Sequence, residues 1–214
     1  MKLVLNKKDF INALKVTILT AGKKDVRHYL NDVFIEAHAG NVVNIVSTNG
    51  HAISRVTLDA PVVDSHSYII KRDDVERLIK STTVARDGNP NEVTAMIELE
   101  YAKGEVSGSI HAPDVLTVRD GGNVTTCELL EGVFPDYRRV IPSSNGDNGT
   151  VKAIGVNPEY ISNAVKALKV ITNKTASMNI EFNGENGLIK VRPSSFHSAS
   201  QMTDVMIGIM PVRV

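Results

Sequence analysis

This chain uses one grammar three times, and that repetition constrains its fold more than any other feature. A short apolar run is followed by a polar break and then by an amphipathic stretch at helical spacing. The instances are KLVLNKKDFINALKV from Lys2, SYIIKRDDVERLIKS from Ser67 and KAIGVNPEYISNAVKALKV from Lys152. The short runs read as strands, and apolar residues three and four apart read as one face of a helix. In the third instance Asn157 suits an N-cap, Pro158 the first helical position and Glu159 the positive end of the helix dipole. Further strands follow each helix, punctuated at Gly40-Asn41, Asn49-Gly50, Asp120-Gly121-Gly122 and Asn183-Gly184. NIVSTNGHAISRV reads as a hairpin joined at Asn49-Gly50. The unit is β-α-β-β-β, and it recurs over roughly 1–60, 67–142 and 150–214, an α+β chain of repeated half-units. PSSNGDNGT, Pro142 to Thr150, is rich in turn formers and lacks apolar periodicity. The expected division is residues 1–142, a linker at 143–149, and residues 150–214.

The chain of 214 residues balances 24 basic against 24 acidic residues. A net charge of zero argues against a protein that holds nucleic acid by bulk charge, and leaves room for a local basic face. On the first helix Phe10, Leu14, Thr17, Ile18 and Ala21 share one side, with Lys8, Asn12 and Lys15 opposite. The second turns Val75, Leu78 and Ile79 inward and Arg77 and Lys80 outward, with Asp73 and Glu76 diluting the charge. The third sets Tyr160, Ile161, Ala164, Val165 and Leu168 against Ser162, Lys166 and Lys169. These lysines are either solvated individually or presented together to a phosphate backbone, and periodicity does not choose between the two.

No catalytic constellation stands out. The six histidines show no HExxH or other metal-ligand spacing, and there is neither a Gly-rich phosphate loop nor a GxSxG elbow. SSFHSAS, around His197, reads as a Ser-rich loop. Cys127, in the strand-like VTTCELL, reads as a small buried apolar residue. As the only cysteine it permits no intrachain disulfide, which suits a reducing, cytoplasmic setting. No segment has membrane-spanning length. The expectation is a protein without enzymatic activity, cofactor, metal or membrane partner.

Four segments then resemble, in order, parts of the bacterial sliding clamp family, the beta subunit of DNA polymerase III. FPDYRRVIP (Phe134 to Pro142) resembles the end of its middle domain, and DVRHYLN (Asp25 to Asn31) the loop after that domain's first helix. STNGHAIS (Ser47 to Ser54) is similar to its TDGHRLA-type hairpin, and MPVRV (Met210 to Val214) to its MPMRL-type C-terminal end. The resemblance covers nearly the whole chain. Residues 1–142 resemble the middle clamp domain, and 150–214 the second half of the last. It implies a DNA-clamp fold, with helices on the inner face of a ring around duplex DNA and antiparallel sheets outside. It also implies that Lys8, Lys15, Arg77, Lys80, Lys166 and Lys169 face the DNA without sequence preference. Polymerase and clamp loader would bind through short linear peptides. Carried over by motif, the peptide pocket comprises Leu30, Thr48, Gly50, His51, Ile53, Pro135, Arg139, Val140 and Met210.

Some residues depart from the family pattern. Ala52 stands where the hairpin usually has Arg, and Gly208 where the family usually has an aliphatic pocket residue. Three half-units are present where a bacterial clamp chain has six. An unpaired half-unit would expose an apolar patch. Residues 150–214 are therefore expected to pair with the same region of a second chain. Two such pairs would give a four-chain ring, with a trimer or dimer as alternatives. A shortened clamp of this kind fits a phage or plasmid source. The competing reading is a clamp-like module that captures clamp-binding peptides as a decoy or regulator and never closes a ring.

Overall fold

Alternation sets the strands. In Val33–His38 every second residue, Val33, Ile35 and Ala37, is buried, as in a strand with one face on the core. The computed structural model describes residues 2–82, 95–107, 110–142, 154–172, 177–184, 186–195 and 200–212. The expected linker at 143–149, His197 and the last two residues of MPVRV lie outside them.

The first unit runs β1 (Lys2–Asn6), α1 (Lys7–Thr17), β2 (Val33–His38), β3 (Gly40–Thr48) and β4 (Ala52–Val62). The second runs β5 (His66–Ile70), α2 (Arg72–Ser81), β6 (Met96–Ala102), β9 (Val115–Asp120) and β10 (Asn123–Leu130). It also carries a short added hairpin, β7 (Val106–Ser107) with β8 (Ile110–His111), which the repeat pattern did not announce. The third has α3 (Pro158–Ile171), β11 (Met178–Glu181), β12 (Ile189–Pro193) and β13 (Met202–Ile209). Asn157 caps α3 as expected, its side chain accepting from the Glu159 amide at 2.9 Å.

Eleven strands form one sheet in the order β1-β6-β9-β10-β5-β2-β3-β4-β13-β12-β11. The first strands of the two leading units are exchanged: β1 pairs with β6, and β5 with β2. β4 and β13 form a long antiparallel ladder that fuses the third unit to the first. Asp204 of β13 anchors that seam by ion pairs to Arg55 on β4 and, at 2.9 Å, to Arg192 on β12. Asp9 of α1 accepts from the Gln201 amide at 2.6 Å and the Ser200 hydroxyl at 2.9 Å, tying the same two units together.

The helices pack on the sheet, with α1 between α2 and α3. This placement changes the expectation for α1. Asn12 is buried rather than polar-facing, as are Ile11, Ala13 and Val16, because a neighbouring helix covers each flank. Lys8 and Lys15 remain half-buried at its margin.

Candidate peptide-binding site

The hairpin between β3 and β4 differs from the two-residue turn that Asn49-Gly50 predicts. The loop has three residues, because the Asn49 side chain accepts from both the His51 amide at 2.9 Å and the Ala52 amide at 2.8 Å. Gly50 takes φ +87°, which favours glycine. Beneath the hairpin lies a buried cluster of hydroxyls. Thr20 approaches Ser47 at 2.7 Å and Ser54 at 2.5 Å, and Ser47 donates to the Thr17 carbonyl at the end of α1. Buried polar groups satisfied in this way hold the hairpin to the helix.

FPDYRRVIP is anchored by its aromatics. Phe134 stacks on Phe34 of β2 with centroids 4.7 Å apart, and the Tyr137 hydroxyl donates to Glu36 at 2.9 Å. Arg138 lies over the Tyr137 ring and pairs with the same carboxylate. Burial pushes Glu36 upward, but hydrogen bonds from Arg138, Tyr137 and His38 outweigh it and hold the carboxyl below its usual range. Burial and then Glu36 raise the Tyr137 phenol.

A short 3-10 turn, Tyr137–Val140, follows. Residues three apart eclipse in such a turn, so Tyr137 and Val140 face the same way. Together with the hairpin, the Arg27–Leu30 loop and two residues of the third unit, they line a pocket of about 350 Å³. Leu30, Ile53, Tyr137 and Leu188 are its buried floor, while His51, Pro135, Val140 and Met210 form an exposed rim. The Met210 amide donates to the His51 carbonyl at 2.9 Å, binding rim to hairpin.

Eight of the nine residues expected here, Leu30, Thr48, Gly50, His51, Ile53, Pro135, Val140 and Met210, line this one pocket. Arg139 does not. Its side chain is 84% exposed and paired with Asp136 at 3.0 Å. Arg27, Tyr29, Ala52, Asp136, Tyr137 and Leu188 line the pocket without having been singled out. Arg27 had a readable signal two residues away, since Asp25 grips its guanidinium through two hydrogen bonds, at 3.0 and 2.9 Å. That grip holds the Asp25 carboxyl down at about 2. Leu188 explains Gly208. A Cβ at position 208 would lie 2.6 Å from Leu188 Cδ2 and 2.7 Å from Ile53 Cγ2, so Leu188 occupies the space a side chain there would need.

A second, larger depression of about 800 Å³ opens between the three helices. Lys15, Lys80 and Lys166 line it, joined by Lys23, Lys24 and Arg72 from outside the predicted set. The remaining predicted basic residues lie elsewhere. Lys8 is half-buried near the start of α1, and Lys169 is exposed on the last turn of α3. Arg77 pairs with Asp74 at 2.7 Å and donates to the Thr126 carbonyl of β10. Among the described residues no group of three or more His, Cys, Asp or Glu is placed to hold a metal, and no helix is long and apolar enough to cross a membrane.

Residues 4–136 match the family described as DNA polymerase III beta subunit, central domain. The beta sliding clamp of Pseudomonas aeruginosa is 26% identical over 181 residues, covering 84% of this chain and 42% of that protein. That of Escherichia coli K12 is 28% identical over 132 residues, 61% of this chain and 31% of that one. The chain thus spans less than half the length of these relatives. A crystal structure of the P. aeruginosa sliding clamp with ligand superposes with a TM-score of 0.75 at 18% identity, covering all of this chain and 66% of that one. A Thermotoga maritima DNA polymerase III beta subunit gives 0.73 at 13%, and both comparisons show a common fold. The chain belongs to the DNA polymerase III beta subunit family.

Proposed function

We propose that this chain acts as a sliding clamp, a non-enzymatic processivity factor of the cytoplasm. In this reading it forms a homo-oligomeric ring around duplex DNA and tethers a polymerase and a clamp loader through short linear peptides. Residues 1–142 act as a complete clamp domain, 143–149 as a linker and 150–214 as a half-domain completed by another chain. A four-chain ring is favoured over a trimer or dimer.

The observation that carries this reading is the convergence of separate chain segments on one pocket, with a buried floor of Leu30, Ile53, Tyr137 and Leu188 and an exposed rim of His51, Pro135, Val140 and Met210. Such a concavity suits a hydrophobic anchor residue on an extended peptide, with Arg27, Thr48 and Asp136 in its lining to meet the peptide's polar groups. Lys15, Lys80 and Lys166 in one depression, within a protein of zero net charge, suit weak phosphate contacts that permit sliding.

The test is polymerase processivity on a primed circular template, together with anisotropy of a labelled clamp-binding peptide. Lys15→Glu with Lys166→Glu should reduce stimulation by about tenfold or more at moderate salt, and leave peptide affinity unchanged. Retained stimulation would remove the DNA-facing role. The decoy reading needs only the pocket and predicts no effect of these reversals in any assay.

A further inference from the structure

In the first two units, the strand that precedes each helix pairs with the strand that follows the other unit's helix. β1 pairs with β6 and β5 with β2, so each unit completes the other. β5 also keeps one edge on its own unit, where Ile70 and Ile69 pair with Leu129 and Leu130 at the end of β10. The third unit repeats one half of this arrangement. Gly155, just ahead of the Asn157 cap, accepts from the Val212 amide at 2.9 Å, beyond the end of β13. The other half is unmade. β11, the strand that follows α3, ends the sheet and pairs only with β12 among the described residues.

β11 is not composed as an outer edge. Ile180 lies opposite Val191 and Met178 opposite Pro193, and both partners are buried, so the two side chains share the core face. Yet Ile180 and Met178 are each 41% exposed, and Phe182 just beyond is 47% exposed. In β6, which receives β1, the core-facing Ile97 and Leu99 are buried. Sheet edges that face water are normally blunted by shortness, charge, proline or a bulge. β11 has four residues and its charge, Glu181, is on the opposite face in ion pairs with Lys190 and Arg192, which leaves the core face apolar and open.

We infer that the open edge of β11 receives the segment Ile154–Val156 of a second copy of this chain and that the two copies exchange these segments about a twofold axis. The third unit carries both donor and acceptor, so two copies satisfy both edges at once. This self-complementarity singles out a second copy over an unrelated strand. The register follows from the first two units. Asn6, the cap of α1, lies opposite Met96, the first residue of β6, and Ile70, just before the α2 cap, lies opposite Val33, the first residue of β2. Transferred to the third unit, these registers set Val156 opposite Asn179 or Met178. The inference deepens the ring reading by naming a chain-to-chain contact, and rests on that reading only for its use in a ring.

Native mass by light scattering, with cysteine cross-linking, tests it. The protein should have the mass of an even number of chains, and Ile180→Asp should halve that mass with an unchanged circular dichroism spectrum. Val156→Cys combined with either Asn179→Cys or Met178→Cys should give a covalent dimer on mild oxidation, since facing positions in adjacent strands suit disulfide geometry. Cys127 is buried and leaves the background clean. An unchanged mass for Ile180→Asp, or no cross-link from either pair, overturns the inference. If Ile180→Asp does not fold, the cross-links decide alone. A cross-linked pair that gives a polymerase no stimulation sinks the clamp reading and leaves the exchange standing. Stimulation by an Ile180→Asp protein of unchanged mass does the reverse.

Discussion

Gly208 and Leu188 should behave as one packing unit. In Gly208→Ala the new methyl carbon would start 2.6 Å from Leu188 Cδ2 and 2.7 Å from Ile53 Cγ2, well inside van der Waals contact. Leu188 and Ile53 are both buried in the small cluster that also holds Val46, Phe134 and Tyr137, so making room for the methyl means shifting one of them out of that packing. Overpacking of this kind costs about 1–3 kcal/mol. Leu188→Ala alone should cost about 2–3 kcal/mol, the low end for a buried leucine because the site opens on the pocket and can partly relax. Combining them removes one of the two collisions and places a methyl beside the vacated space. The double variant should therefore be about 1–2 kcal/mol more stable than the separate losses imply. Urea unfolding of the four proteins at one protein concentration measures this directly, provided the slopes agree. Losses additive to within about 0.5 kcal/mol would show that Leu188 does not occupy the place of the absent side chain.

Other outcomes follow from local chemistry. Phe134→Ala, which removes the ring stacked on Phe34, should cost about 3–5 kcal/mol in the same unfolding assay and weaken peptide binding at the pocket. Burial pushes the Cys127 thiol up to about 11, so a maleimide at about pH 7.5, well below that value, should label it only as fast as the protein opens, with the rate rising through the urea transition. Asp25 is held at about 2 against an ordinary 3.8, so its pairing with Arg27 is fully present above 3.8 and is lost as pH falls towards 2. In a carbon-13 titration Arg27→Ala should return Asp25 towards 3.8. Asn157→Ala should destabilise by about 1 kcal/mol through the lost cap of α3.

Much of this was legible in the sequence, because strands and helices here obey local rules. Asn157 and Pro158 announced α3 directly, and the residues of the hairpin and of FPDYRRVIP meet at one pocket. What the sequence did not show depends on neighbours. Asn12 reads as solvent-facing until α2 and α3 flank α1. Arg139 reads as a pocket residue, yet its exposed side chain pairs with Asp136 and is not part of the lining. Leu188 carries no local signal, since its role is defined by the side chain missing at position 208. Arg72 likewise looks like one more helix arginine, yet its guanidinium donates to the Gly22 carbonyl at 3.0 Å and joins α2 to the loop after α1.

The open edge of β11 also bears on the sidedness of the assembly. A twofold axis that passes through a contact on the rim of a ring, and maps the ring onto itself, must lie in the plane of the ring. Rotation about that axis turns one chain upside down relative to the next. A ring of four chains closed by the proposed exchange, and by a second twofold contact, would present two pockets on each flat side. It would have no leading face, and a polymerase could engage it from either direction of approach along the duplex.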